Sequence, residues 1–268
     1  MEQDTPQIAE FETVTYAGSS ADWIVMVHGV SQDRRIFSKQ VEEFKESYRL
    51  ILIDMPGHGL SAELPGPYGL EEYASCIAAT LQSAGVQYPH YWGTHLGAGA
   101  GLLLQCRQPD TFKSLILEGP VFPGRPLPSV NNILRSVAAI AHQYGMAAAR
   151  EKWWKEGEWF SVMRKHPIKC RALEQRTIIN DFGGKPWLDS GLASREIAPI
   201  GEQLAKLETP TLIINGEYDL SEFKDVAVVL ETLLANSQHC IIEGGGGFPL
   251  WEFPGQVNRE VRSFLEDI

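Results

Sequence analysis

Gly93-Thr94-His95-Leu96-Gly97 lies between two segments of different character. Before it, Tyr88-Pro89-His90-Tyr91-Trp92 reads as a short buried strand. After it, Ala98-Gly99-Ala100-Gly101-Leu102-Leu103-Leu104 is small and then apolar, as a helix pressed closely on a sheet must be. Strand, tight turn and helix follow in order. In the pattern Gly-x-Ser-x-Gly, such a turn holds a serine on a sharp bend; here both glycines remain and His95 stands at the tip.

Working outward, three further apolar runs end in turn residues. Trp23-Ile24-Val25-Met26-Val27-His28-Gly29 is the first, and Leu50-Ile51-Leu52-Ile53-Asp54 runs into Met55-Pro56-Gly57-His58-Gly59. Pro210-Thr211-Leu212-Ile213-Ile214-Asn215-Gly216 leads to Glu217-Tyr218-Asp219. Strands rich in Val, Ile and Leu, each followed by a helical pattern, predict a mainly parallel sheet with helices on both faces. The predicted strands are Phe11–Tyr16, Trp23–Val27, Tyr48–Asp54, Tyr88–Trp92, Ser114–Glu118, Pro210–Gly216 and Gln238–Glu243, with helices at Gly69–Gly85 and His95–Gln108.

From about Phe11 to Phe264 these motifs make the chain resemble the α/β-hydrolase superfamily. The resemblance implies an α/β-hydrolase fold with an eight-stranded, mainly parallel sheet. Residues 1–120 and 202–268 would form the core, and residues 121–201 a helical cap. That insertion opens with Pro123, Pro126 and Pro128 and carries Trp153, Trp154, Trp159, Phe160 and Trp187. Such aromatics serve either as the insertion's own core or as the wall of an apolar pocket, and Trp153, Trp154 and Trp187 are the candidates for the wall.

The superfamily's triad joins a nucleophile at the elbow, an acid after a later strand and a histidine after the last strand. His95 occupies the first position. Glu243-Gly244-Gly245-Gly246-Gly247-Phe248-Pro249 puts Gly247 where the histidine belongs, and His239, within the last strand, reads as structural. Two acids match: Asp219 after the penultimate strand, and Glu118 at the end of the strand following the elbow helix. The backbone N–H groups of Val30 and Leu96 map to the oxyanion hole, with Ser31 beside them. His28 and His58 sit in turn motifs and read as structural.

Ser–His–Asp hydrolysis is excluded, because losing such a unit costs on the order of a millionfold in turnover. The sequence leaves two main readings, since a third, a purely interacting subunit, leaves the elbow glycines and the capped pocket unexplained. One is an enzyme of altered mechanism, in which His95, hydrogen-bonded to Glu118 or Asp219, acts as general base or nucleophile on an ester, lactone, carbon–carbon bond or enolic aromatic. The alternative is a binding protein that kept the pocket and lost turnover. His95 as a drifted remnant is the plain structural alternative to both.

Composition bounds the rest. The chain has 268 residues, 44% hydrophobic and 21% charged, enough for one well-packed domain with an insertion. A net charge of −11 disfavours nucleic acid and anionic membrane surfaces. Met1-Glu2-Gln3-Asp4-Thr5-Pro6 lacks the character of a signal peptide, and no apolar run is long enough to span a bilayer, so a cytoplasmic protein is expected. Cys76, Cys106, Cys170 and Cys240 show neither metal nor redox spacing. No metal or cofactor is implied, the expected partner is a small molecule, and a homodimer is left open.

Overall fold

The computed structural model describes residues 6–268 apart from 17, 19 and 190–195. Residues 1–5, which carry the reading of the start, and part of the insertion therefore lie outside the described residues. Seven strands form one sheet: β1 (Phe11–Val14), β2 (Trp23–Val27), β3 (Arg49–Ile53), β4 (His90–Thr94), β5 (Ser114–Glu118), β6 (Thr211–Gly216) and β7 (Ser237–Ile242). Their order is β1-β3-β2-β4-β5-β6-β7, and all neighbours are parallel except β1 and β3. Among the described residues the sheet has one strand fewer than the eight expected. A single strand precedes β2, and it closes the edge by pairing antiparallel, Phe11 opposite Ile53.

Helices in chain order are α1 (Ser38–Phe44), α2 (Leu70–Ala84), α3 (Leu96–Arg107), α4 (Pro128–Tyr144), α5 (Met146–Glu156), α6 (Ser161–Lys165), α7 (Ala172–Asp181), α8 (Lys185–Leu188), α9 (Gly201–Leu204), α10 (Ser221–Leu233), α11 (Pro249–Glu252) and α12 (Pro254–Glu266). Alternation along β2 shows why both faces of the sheet are covered. Ile24 and Met26 join one core with Phe44 of α1 and Val257, Val261 and Phe264 of α12. Val25 and Val27 join another with Tyr73 and Ile77 of α2, Leu103 of α3 and Val226 of α10. Successive side chains of a strand point to opposite faces, so a strand apolar at every position must be covered twice.

Helices α4 to α8 all fall between β5 and β6, the interval in which the alternation of strand and helix broke in the sequence. Their aromatics form a continuous chain. Trp153 lies 4.5 Å from Trp159 and 5.5 Å from Trp187 between ring centres, and Phe160 stacks on Phe248 at 5.3 Å. The last contact ties the insertion to the loop after β7.

Candidate functional site

Between β4 and α3 the chain turns sharply at His95. His95 adopts φ 48° and ψ −109°, a region that costs a non-glycine residue on the order of 1–3 kcal/mol. Two bonds hold it there: the His95 amide donates to the Glu118 carbonyl at 2.8 Å, and the Gly99 amide donates to the His95 carbonyl at 3.0 Å. Both flanking glycines are sterically required. A Cβ on Gly93 would stand 2.6 Å from the Ala98 nitrogen, and one on Gly97 would overlap the carbonyl of Val27.

The imidazole of His95 is enclosed. Phe223 meets it edge-on at 4.9 Å and Phe248 lies at 4.7 Å. Gly119 leaves the ring its room, since a Cβ there would come within 2.9 Å of Nε2. Both ring nitrogens are closed off from solvent and neither makes a hydrogen bond. Burial pushes the pKa down to about 4, only partly opposed by the nearby backbone of Gly247, so the ring is neutral at pH 7.

The expected pairing of His95 with Glu118 or Asp219 is not formed. Asp219 accepts from Asn215 Nδ2 at 2.7 Å and from the Leu220 amide at 2.8 Å, while Asn215 Oδ1 faces His239 Nε2 at 3.0 Å. Its carboxyl is thus turned along β6 and committed there. Glu118 Oε1 accepts from the Leu250 amide at 3.4 Å and its other oxygen has no partner. Burial is the main cause that raises both acids, Glu118 well above the ordinary range and Asp219 to about 7. A third buried acid, Glu252, accepts from the Gly246 amide at 2.5 Å, and burial raises it to about 8.

Position 247 is filled from the insertion. The Gly247 amide donates to the Trp159 carbonyl at 3.3 Å, and a Cβ on Gly247 would lie 2.8 Å from the Trp159 Cα and closer still to its Cβ. No side chain fits there while Trp159 is in place.

Above the His95 ring lies a cavity of about 140 Å³ with an almost wholly apolar surface. Of the residues singled out in the sequence, Val30, Leu96 and Trp153 are among those that line it. Three other predicted residues do not. Ser31 is fully buried behind Val30 with φ 62°, Trp154 packs on Phe160 at 5.0 Å, and Trp187 lines a neighbouring recess of about 320 Å³ that shares Val30, Leu96 and Leu134 with the cavity. Trp159, Phe223 and Phe248 line the cavity and were not among the predicted site residues, nor was the buried Glu252, which holds the Gly246 amide. The four consecutive glycines 244–247 were the available signal, since a glycine run beside a pocket marks close approach of another chain segment. Among the described residues no cluster of side chains is suited to a metal ion, and no helix is long and apolar enough to cross a membrane.

The (E)-2-((N-methylformamido)methylene)succinate hydrolase of Acinetobacter baylyi is 19% identical over 256 residues, covering 91% of this chain and 90% of that protein. A 2-hydroxy-6-oxononadienedioate/2-hydroxy-6-oxononatrienedioate hydrolase of Klebsiella pneumoniae is 23% identical, covering 92% and 88%. Both are, by name, hydrolases of small organic molecules. Among solved structures, the enol-lactonase from Burkholderia xenovorans superposes with a TM-score of 0.81 at 20% identity over 96% of each chain, a likeness of fold. The family model for the alpha/beta hydrolase fold matches residues 22–254. The chain belongs to the α/β-hydrolase fold family.

Proposed function

We propose that the protein binds a small organic molecule in the cavity over His95, beneath a cap formed by residues 121–201, and does not turn it over by the family's triad chemistry. The observation that carries this reading is the closure of both His95 nitrogens from solvent, with the Trp159 backbone standing where a side chain from position 247 would project. A general base must reach the proton it removes and works best with a pKa near the working pH. His95 meets neither condition in this arrangement, and its ring is hydrogen-bonded to neither Glu118 nor Asp219. What remains is a small apolar chamber with the family's oxyanion positions, the backbones of Val30 and Leu96, at its edge. The relatives' substrates, dicarboxylates by name, do not carry over, because no cationic side chain lines this cavity.

Filling the cavity tests the reading. Val130→Phe adds an aromatic ring at the cavity wall from α4 and should abolish binding of small organic probes measured calorimetrically, while circular dichroism stays that of the wild type. Undiminished binding in a folded Val130→Phe protein would place the ligand elsewhere.

A second reading, an enzyme using His95 as general base, is favoured by one observation. The elbow keeps its strained φ of 48°, a conformation that persists only where its surroundings enforce it. That reading requires the ring to swing toward the cavity when substrate binds. It predicts turnover of esters, lactones or enolic aromatics that is lost in His95→Ala.

A further inference from the structure

The chemistry of the cavity wall restricts the ligand further. Trp153, Trp159, Phe223 and Phe248 supply its aromatic surface. No charged side chain lines it, and the polar atoms of the wall are mostly turned away: both His95 nitrogens and the indole N–H groups of Trp153 and Trp159 are closed off from solvent. One lining residue is different. Asn131, on the first turn of α4, is exposed, and it is the lining residue whose side chain is an uncharged amide able to donate and accept.

We infer that the ligand is a neutral, compact molecule of about one ring, with a single carbonyl or hydroxyl group read by the Asn131 side chain, and that carboxylates are excluded. This rests on the cavity being a binding site. Size sets the first limit, since an apolar void of about 150 Å³ admits a benzene ring. Charge sets the second. A carboxylate drawn in among four aromatic side chains would lose its hydration and gain no cation, a cost far above that of one neutral hydrogen bond. The nearest cation on α4, Arg135, lines the adjoining recess rather than this cavity and donates to Asn132, and the buried Glu118, Asp219 and Glu252 add no positive charge. Asn131 sets the third, because its amide satisfies a ligand oxygen in either hydrogen-bonding sense while an apolar residue there would strand it.

The test is calorimetric titration of the full chain at pH 7.5 with toluene, cyclohexanone and benzyl alcohol as neutral probes and benzoate and cyclohexanecarboxylate as matched anions. The neutral probes should bind, and the anions should be weaker by at least about thirtyfold. Asn131→Leu should weaken cyclohexanone and benzyl alcohol about five- to tenfold and leave toluene unchanged, which also reports that the variant cavity is intact. Anions binding as well as their neutral counterparts, or equal loss of toluene and cyclohexanone in Asn131→Leu, would overturn the ligand class and leave the binding site standing. Failure of every probe would overturn both.

Discussion

His95 stands at the tip of the turn after β4 and has the surroundings of a core residue. Burial against Phe223 and Phe248 holds its ring neutral, with the pKa pushed down to about 4. In a pH titration followed by the ring resonances of histidine-labelled protein, His95 should remain neutral through pH 5, and a midpoint between 6 and 7 would mean that the ring is solvated or paired. Gly247 is the complementary position. Gly247→Ala pushes a methyl group into the Trp159 backbone and should cost about 1–3 kcal/mol in chemical denaturation, the usual scale of overpacking. If the variant is as stable as the wild type, the insertion does not sit on the glycine loop as described. The sequence shows both residues as departures from a motif, because the motif's glycines and spacing survive around them. It does not show what Gly247 is empty for, since Trp159 is far away along the chain and no local periodicity reports which segment descends on a glycine.

At the scale of elements, the loop after β7 and helix α11 are fastened from behind by acids. Glu252 holds the Gly246 amide and Glu118 the Leu250 amide, and between these points Phe248 forms part of the cavity wall. Protonated in the fold, these carboxyls give a stability that depends on pH. Burial raises Asp219 from 3.8 to about 7 and Glu252 from 4.5 to about 8, so their contribution is full below the unfolded values and is lost as pH rises through the folded ones. The buried histidines act in the opposite sense. His58, His90 and His95, lowered from 6.5 to about 3, 4 and 4, contribute fully above 6.5 and lose stability as pH falls toward the folded values. The two sets offset each other between about pH 4.5 and 6.5, and above 6.5 only the acids still titrate. The melting temperature should therefore fall between pH 6.5 and about 8, and Glu252→Gln should flatten that fall in scanning calorimetry; a profile identical to the wild type's would mean that Glu252 is not among the groups responsible. The central strands β2, β3 and β6 were the most legible, because each is an apolar run that leads into a Gly- or Asp-bearing turn. Glu252 was not legible, as a lone acid between Trp251 and Phe253 on a short helix reads as a surface residue until α11 is seen docked beneath the glycine loop.

At the scale of the molecule, the chain carries the sheet of the α/β-hydrolase fold, and the turn at His95 lies under an apolar wall. The interval between β5 and β6, marked in the sequence by prolines and tryptophans, supplies that wall through Trp153 and Trp159. Which of its tryptophans would face the cavity was only partly legible: Trp153 does, Trp187 faces the adjoining recess, and Trp154 packs on Phe160. The packing of α4 to α8 decides this, and helical periodicity gives no direction to an insertion whose partner surface is unknown. The central claim is that the cavity over His95 binds without triad turnover. It is tested most directly by incubating the wild-type chain and His95→Ala with neutral esters and lactones while following heat of binding and product release together. Saturable binding with no product above the uncatalysed background in either protein is the predicted result; product formed by the wild type and abolished in His95→Ala would contradict it.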